Sequence, residues 1–350
     1  MELASINIVV KDADTALQTY LKLFGTNNIT EVIKLKGLRD DSEIVDGYWL
    51  KTSPLNLAIF TPRSSTGRMG EFLKKYGEGI HHIQLNMGQD EFERTYAQFK
   101  SDGWPISRPT YYGKFSEATF WLEESGEQAV PVRFGTKAYR TLKMWKDVVY
   151  FDTPQRFEVM KITEEIIRPR LDLKTPVVSV KYFEKQQQVW ASILSRPVHI
   201  RHVGDYGERT PVDDKRGNQF IANMFQFENS SKISVYHAIN EEGSIRKILA
   251  RRGKDAMYYD MIFHFQRDKA HEIWKQWDKA GFNMVDPKPL LNQHEGNGNY
   301  FFFMHPTSTH GVVCEFVSLW NFPQDESNET KIIYDWSDTK THIIRPAVNQ

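Results

Sequence analysis

The sequence has little cysteine, no net charge and no long apolar run. A single cysteine among 350 residues, Cys314, excludes an intramolecular disulfide framework and a cysteine-rich zinc site. Because Cys314 lies within an apolar run over residues 311–317, we expect it to be buried packing rather than a nucleophile.

The charge balance argues against polyanionic partners. Lysine and arginine together number 45, as do aspartate and glutamate, so no net field draws the chain to nucleic acid or an anionic membrane. No apolar stretch approaches the ~20 residues of a membrane-spanning helix, and the first residues lack the basic segment of a secretory signal. We therefore predict a cytoplasmic protein with no nucleic-acid or membrane partner.

Nucleotide binding is also not indicated. The glycine-rich stretch at 296–299 lacks the following lysine and hydroxyl residue of a phosphate-binding loop, so it predicts an ordinary loop and no nucleotide cofactor. By contrast, 22 phenylalanines, 15 tyrosines and 9 tryptophans are enough to build cores and still line an apolar pocket. A small-molecule substrate is the partner we expect.

The length suits two domains, and the pattern repeats along the chain. A β-branched strand leads into an amphipathic helix over residues 6–24 and again over 177–194. A second strand–helix pair covers 79–103 and 257–282, each copy stopping at a glycine, Gly103 and Gly281. Matching these glycines sets His82 opposite Asp260.

A third pair of segments has the pattern of a hairpin. Residues 149–160 match 301–317, which sets Glu158 opposite Glu315, but the spacing between the copies is 21 positions shorter here. The difference predicts an insertion in the first half, at about 113–147. We expect a first domain over 1–161, a linker over 162–174, a second domain over 175–320 and a polar C-terminal tail over 321–350.

These segments predict an α+β fold of two tandem domains, each built of two paired βαβββ modules. Residues 77–83, with their His-His pair, the helix at 183–194 and the hairpin at 305–316 resemble the vicinal oxygen chelate superfamily. The nearest members are the glyoxalases and methylmalonyl-CoA epimerases. The resemblance covers roughly residues 4–319 and implies that the two modules of each domain form an open barrel-like cup.

In this superfamily the floor of each cup holds a divalent metal through residues on four strands. The resemblance places eight residues at these positions: Ser5, Ala58, His82 and Glu158 in the first domain, and Thr175, Ser234, Asp260 and Glu315 in the second. Serine, alanine and threonine cannot replace imidazole or carboxylate as ligands. The set therefore leaves room for a metal (Fe, Mn, Ni or Zn), with His82 and Glu158 as its candidate ligands, but it is incomplete.

Other polar side chains lie close to these positions. A shift of one or two residues in the assignment would bring in nearby candidates, namely Asn7, Asn56, His199, His202 and His237. Six residues are candidates for substrate binding: Ser5, Asn7, Asn56, Thr175, Ser234 and Tyr259. A tyrosine in such a position is more often ordinary core, which is the alternative for Tyr259. We expect His81 on the sheet face opposite His82, and His305 and His310 on the surface of the hairpin.

Two residue pairs are the catalytic candidates. His82 and Glu158 would form a residual metal site or an acid–base pair; the alternative is a buried structural hydrogen bond. Asp260 and Glu315 cannot both be ionised cheaply in one cup, which favours a cation or a shared proton. The alternative is that Asp260 faces solvent or pairs with arginine or lysine.

The resemblance implies an enzyme that moves a proton on a small or aromatic oxygenated substrate through an enolate-like intermediate. It would be an isomerase, an epimerase or a lyase. Two other functions stay open: a non-haem iron dioxygenase of the extradiol type, and a metal-free protein that sequesters its ligand. Two paired domains can imitate a dimer of single-domain relatives, so both a monomer and a homodimer are compatible with the sequence.

Overall fold

Two large β-sheets, each flanked by helices, make up the protein in the computed structural model. The structure describes residues 1–40, 43–112, 117–124, 130–136, 149–151, 156–194, 198–200, 220–227, 229, 231–238, 241, 243–292, 299–319 and 342–344. The order of strands and helices confirms the predicted α+β class with paired strand–helix–strand modules.

The first sheet is formed by residues 2–160. Its described strands are β1 (Glu2–Val9), β2 (Glu31–Asp40), β3 (Glu43–Lys51), β4 (Asn56–Pro62), β5 (Gly79–Asn86), β6 (Thr110–Tyr112), β7 (Glu117–Leu122), β8 (Val132–Thr136), β9 (Val149–Phe151) and β10 (Arg156–Met160). They lie in the order β10-β2-β3-β4-β1-β5-β8-β7-β6-β9. Three helices accompany them: α1 (Ala13–Phe24), α2 (Arg68–Tyr76) and α3 (Gln89–Ser101).

The order of the strands requires the first sheet to curl. Strands β9 and β10 lie at opposite edges, yet Phe151 and Arg156 are only five positions apart in the chain. A flat sheet of this order would separate its edges by about 43 Å at about 4.8 Å per strand. Five residues span at most about 18 Å. The sheet therefore bends into a half-barrel, which is the predicted cup.

The second sheet repeats this plan from residue 172 onwards. Its described strands are β11 (Asp172–Val180), β13 (Phe220–Gln226), β14 (Lys232–Ala238), β15 (Ala256–Gln266), β16 (Leu290–Asn292), β17 (Asn299–Met304) and β18 (Val313–Leu319), in the order β13-β14-β11-β15-β18-β17-β16. The helices are α4 (Phe183–Leu194), α5 (Ser244–Arg252) and α6 (Ala270–Lys279). A small separate sheet pairs β12 (Val198–Ile200) with β19 (His342–Ile344) in the C-terminal tail.

Helix α1 shows how local sequence sets the element ends. The Asp12 carboxylate accepts hydrogen bonds from the backbone N–H groups of Asp14 and Thr15, at 2.9 and 3.2 Å, and so caps the N-terminus. Gly25, with φ of 76°, ends the helix. The buried residues recur at helical spacing and include Leu17, Tyr20, Leu23 and Phe24, which pack against the sheet.

One continuous core joins the two sheets. It contains apolar side chains from both sheets and from helices α1, α3, α4 and α6. Buried hydrogen bonds cross between the halves: Trp277 Nε1 donates to the Leu23 carbonyl and the Tyr20 hydroxyl donates to the Thr309 carbonyl, each at 3.0 Å. Cys314 is fully buried in this core, as expected.

The range of the predicted insertion, about 113–147, is only partly described, and the insertion stays a prediction. Strands β7 and β8 of the first sheet lie inside that range, whereas residues 113–116, 125–129 and 137–148 lie outside the described part. Strands β9 and β10 follow β8 in the chain and belong to the same sheet. These strands do not form the predicted hairpin, because β9 pairs with β6 and β10 pairs with β2.

The expected linker packs against the first domain. Thr26 donates its backbone N–H to the Ile166 carbonyl at 2.7 Å, and Asn27 and Asn28 bond the carbonyls of Arg168 and Pro169. Strand β11 then begins at Asp172, three residues before the expected start of the second domain. In the described part of the chain, no helix is long and apolar enough to cross a membrane.

Candidate functional site

The residues of the candidate site lie on the sheet faces that turn away from helices α1, α3, α4 and α6. Alternation along β1 and β5 sends Ile6 and Ile83 into the helix-covered core, whereas Asn7 and His82 lie on the opposite face. We call this opposite face of the first sheet the first cup, and the corresponding face of the second sheet the second cup. Helix α2 covers part of the first cup through Met69 and Phe72.

Strand register shows which residues of the two cups are equivalent. Asn7 pairs with both Ala58 and His82, and Val177 pairs in the same way with Ser234 and Asp260. These pairings place His82 and Asp260 at the same position, as the sequence predicted.

The register at the last strand differs from the sequence prediction. Gln84 pairs with Arg133 on β8, whereas Ile262 pairs with Glu315 on β18. Arg133, rather than Glu158, therefore occupies the position of Glu315. In the sequence, the apolar residues Val132 and Phe134 on either side of Arg133 indicate that Arg133 lies on the other face of its strand. Glu158 on β10 has the same kind of neighbours, so this pattern does not distinguish the two residues.

Glu158 does not lie near His82. It is exposed on β10, where its register partner is Lys34, and four strands separate β10 from β5. The predicted pair of His82 and Glu158, as metal ligands or as acid and base, is therefore not assembled. Alternation of apolar and polar residues predicts which face of a strand a side chain lies on, but not which strand lies next to it in the sheet. The sequence-based prediction therefore placed Glu158 beside the wrong strand.

His82 is 1% exposed and is surrounded by rings. Its ring stacks on Phe60 with centroids 6.5 Å apart, and the Trp121 ring lies at 4.5 Å. Burial, followed by the charges of His81, Arg133 and Arg68, holds the pKa of His82 well below its usual 6.5. His82 is therefore neutral at physiological pH.

His81 lies beside His82 rather than on the opposite face. The two Nδ1 atoms are 2.9 Å apart and His81 is buried. The register between β1 and β5 shifts after Asn7, so a β-bulge at His81 breaks the alternation on which the prediction rested. Burial lowers the pKa of His81 to about 3, with Lys254 and Arg68 contributing.

Polar side chains of the first cup are tied to one another or to the backbone. Arg133 Nη1 donates to Gln84 Oε1 at 2.8 Å, the Ser5 hydroxyl donates to Asn7 Oδ1 at 3.3 Å, and Asn56 Nδ2 donates to the Ala4 carbonyl at 3.1 Å. The candidates Ser5, Asn7 and Asn56 thus have structural partners. With an arginine at the last-strand position, this cup does not fit a metal cation.

The second cup does bring its predicted carboxylates together. Asp260 is 1% exposed on β15, and Glu315 is partly exposed on the neighbouring strand β18. Burial, and then the charge of Glu315, raises the pKa of Asp260 well above its usual 3.8. Oδ1 of Asp260 has no hydrogen-bond partner among the described residues. The alternative of an exposed Asp260 is therefore wrong.

Other candidates surround this pair. Ser234 is fully buried, and it pairs with Val177 on the side opposite to Asp260. Its hydroxyl also has no hydrogen-bond partner in the described part of the chain. Thr175 is buried and pairs with Ile262. Tyr259 is half-buried and packs in the apolar cluster beside helix α5. Phe303, the register partner of Glu315, adds an aromatic wall.

No group of three or more histidine, cysteine, aspartate or glutamate side chains that could hold a metal occurs in the described ranges. His237 lies with Nδ1 3.2 Å from the Val180 carbonyl, His199 is in the small sheet, and His202 is outside those ranges. Asp260, Glu315 and Ser234 supply hard oxygen donors, which suit Mn better than Fe, Ni or Zn.

The two hairpin histidines differ in their surroundings. His305 is exposed, as expected. His310 is part-buried, with Nδ1 3.1 Å from Glu78 Oε2 and Nε2 3.1 Å from the Thr19 hydroxyl oxygen. His310 therefore links the second sheet to the first and is not a free surface residue.

Solved structures share this architecture over most of the chain. A mutant of 4-hydroxymandelate synthase from Streptomyces coelicolor matches with a TM-score of 0.59 at 10% identity, covering 91% of this chain and 92% of that chain. A halotolerant catechol dioxygenase matches at 0.50 with 7% identity, covering 91% and 86%. A fusion of a xylose isomerase-like TIM barrel with 4-hydroxyphenylpyruvate dioxygenase matches at 0.53 with 9% identity, covering 93% of this chain and 50% of that chain.

Comparison of the sequence with protein-family models and with curated proteins finds no match. At these identities the structural matches establish the fold and leave the reaction to be argued from the residues of the two cups.

Proposed function

Because this chain has the two-domain fold of the vicinal oxygen chelate superfamily, we propose that it is an enzyme that transfers a proton on a small oxygenated organic substrate. The second cup is its active site. The observation that carries the proposal is the pair formed by buried Asp260 and partly exposed Glu315 on adjacent strands. We assign the reaction to the isomerase, epimerase or lyase class.

The two carboxyl groups suit opposite roles. Two carboxyl groups this close hold one proton between them, and the buried Asp260 retains it because its charged form is the more poorly solvated. Glu315, which solvent and substrate can reach, is then the base that removes a proton from the carbon next to a substrate carbonyl. The electron pair of the broken C–H bond forms the carbon–carbon double bond of an enolate.

Asp260 stabilises that intermediate. Its O–H donates a hydrogen bond to the enolate oxygen, where the negative charge develops. Delivery of the proton from Glu315 to the neighbouring carbon gives an isomer. Delivery of a solvent proton to the opposite face of the original carbon gives an epimer, with the first proton leaving Glu315 for solvent, and loss of a neighbouring leaving group gives a lyase product. The Ser234 hydroxyl, buried without a partner among the described residues, can donate to a second substrate oxygen.

A divalent metal is compatible with the same residues. Asp260, Glu315 and Ser234 would hold it through oxygen atoms, with substrate oxygens completing the coordination, and it would polarise the substrate carbonyl. The iron dioxygenase alternative has less support, because the two histidines and one carboxylate that it requires are not assembled in the described ranges. Residence in the cytoplasm and a monomeric or homodimeric state stay predictions.

Exchange of substrate protons with solvent tests the proposal. The full protein is incubated in D₂O with a panel of 2-oxo acids, hydroxy ketones and acyl thioesters, and the loss of each α-proton signal is followed by NMR. We expect exchange of at least one compound, reduced about 10²–10⁴-fold in Glu315→Gln, which removes the base. Asp260→Asn should reduce it about 10²–10³-fold, since it removes the acidic O–H that donates to the enolate oxygen.

Glu158→Gln is the matched control, because this exposed carboxylate lies on the edge strand β10. It should leave exchange unchanged. Saturable binding of a compound without proton exchange would favour the sequestering protein instead. Exchange that survives in the double variant of Asp260 and Glu315 would remove the second cup from the reaction. Repeating the assay after chelation and after addition of Mn²⁺ separates the metal-dependent from the metal-free form.

A further inference from the structure

The two cups carry opposite charge at one equivalent position. Where the second cup has the Glu315 carboxylate, the first has the Arg133 guanidinium, and the partner residues on the neighbouring strands are Ile262 and Gln84. The first cup therefore repels the cations that the second cup attracts. This inversion gives the first cup a chemistry of its own, independent of the reaction proposed for the second.

The guanidinium of Arg133 is held in place by a short relay. Its Nη1 donates to Gln84 Oε1 at 2.8 Å, and Gln84 Nε2 donates in turn to Asn86 Oδ1 at 2.9 Å. Gln84 is buried, whereas Arg133 is partly exposed. A ligand can thus reach a cation whose orientation is already fixed, which is the arrangement that lowers the entropy lost on binding.

A second cation lies on the same side. Arg68 Nε donates to Glu123 Oε2 at 2.9 Å, and its guanidinium carbon lies 5.3 Å from the centre of the Trp121 ring. Trp121 is the register partner of Arg133 and is 2% exposed. The indole is therefore set between the two arginines and the buried His82.

One buried nitrogen in this part of the cup lacks a partner among the described residues. Trp121 Nε1 has no acceptor there for its N–H. A buried indole N–H is normally hydrogen-bonded, since burial without an acceptor removes the bond that water would otherwise supply. The N–H of Trp121 is a donor only, so the group that would satisfy it is an acceptor.

His81 and His82 add polar groups to the first cup without adding charge. His81 and His82 face each other through their Nδ1 atoms, so one of the two atoms donates and the other accepts. Burial and the nearby cations hold the pKa of both rings below the usual value, which keeps both neutral. The two histidines therefore contribute no charge to the cup, and Arg68 pairs with Glu123.

We propose that the first cup is a binding site for the carboxylate of a small organic ligand, with Arg133 as its charged anchor and the Trp121 N–H as a second donor. A guanidinium matches the two oxygens of a carboxylate with parallel N–H groups. The rings of Trp121, Phe60 and His82 provide an apolar wall for the body of the ligand.

Titration with benzoate tests this site in the full protein. Benzoate joins a carboxylate to a flat apolar body, and acetate and inorganic phosphate serve as probes without that body. We expect saturable benzoate binding by calorimetry together with a change in tryptophan fluorescence. Arg133→Gln should weaken binding at least about tenfold, equivalent to ~1.4 kcal/mol. Arg133→Lys should retain part of the affinity because it keeps the charge.

Two further variants keep the result interpretable. Trp121→Phe removes the N–H but keeps an aromatic ring, so it should weaken benzoate binding even if Arg133→Gln does not fold. Glu315→Gln alters only the second cup and should bind benzoate as the unmodified protein does, although it loses proton exchange. Absence of saturable binding to the unmodified protein would overturn the proposal, as would benzoate affinities of the Arg133→Gln and Trp121→Phe variants equal to that of the unmodified protein.

Discussion

Burial of Asp260 makes its ionised form unfavourable in the folded protein but not in the unfolded chain. With the pKa raised in the folded state, the native protein keeps a proton at pH values where the unfolded chain has released it. The free energy of unfolding therefore falls as the pH rises from about 4 towards the pKa of the folded state. The burial that suits Asp260 to its proposed role as a hydrogen-bond donor thus lowers stability at neutral pH.

Asp260→Asn should stabilise the protein by an amount that grows with pH above about 4. The asparagine cannot ionise, so it avoids a cost of about 1.4 kcal/mol for each unit by which the pKa is raised. Urea denaturation at pH 5 and pH 8 measures the difference, with exposed Glu158→Gln as the control. An equal difference from the unmodified protein at both pH values would contradict the raised pKa.

At the scale of elements, β10 decides the chemistry of the first cup. The strand pairs antiparallel with β2, with Glu158 opposite Lys34, and this pairing takes Glu158 to the edge of the sheet. β8 therefore supplies the last strand of the first module pair and carries Arg133 into the cup. One pairing accounts for the loss of the predicted His82 and Glu158 site.

A designed disulfide tests the pairing of β10 with β2. Paired residues on antiparallel strands have Cα atoms about 4.5–5.5 Å apart, within the range a disulfide spans. We expect Lys34→Cys combined with Glu158→Cys to crosslink on oxidation, so that mass spectrometry after alkylation finds one free thiol, that of buried Cys314. The Lys34→Cys single variant is the control. Two alkylated engineered cysteines in the oxidised double variant would refute the register.

In the whole molecule, the hairpin that leads into β18 fastens the second sheet to the first. His310 bonds Glu78 and Thr19, and Gly311, with φ of 80°, lies directly against the Glu78 backbone. A Cβ at position 311 would overlap the Glu78 carbonyl oxygen. The approach of the two halves therefore depends on a residue without a side chain.

Gly311→Ala should lower the unfolding temperature more than Gly281→Ala. Both glycines have positive φ, 80° and 86°, so both alanines carry the same backbone strain. Only position 311 adds a clash, because nothing lies within 4 Å of a Cβ built at Gly281. Thermal unfolding of the two variants isolates the contact between the halves. Equal shifts in unfolding temperature would show that this contact contributes nothing.

The sequence by itself determined the modules and their order. Strand alternation, helical periodicity and terminal glycines are local features of the chain, and they placed His82 opposite Asp260. They also set Cys314 in the core. Each of these features follows from residues that are neighbours in one strand or helix.

Only the tertiary structure decided which strands are neighbours and which atoms lack partners. Arg133 and Glu158 both lie in alternating strands, and pairing alone puts the first in the cup and the second at the edge. A two-residue alternation of side chains likewise does not predict the β-bulge at His81. Sheet pairing depends on contacts between residues far apart in the chain, and such contacts leave no periodic signal in a single sequence.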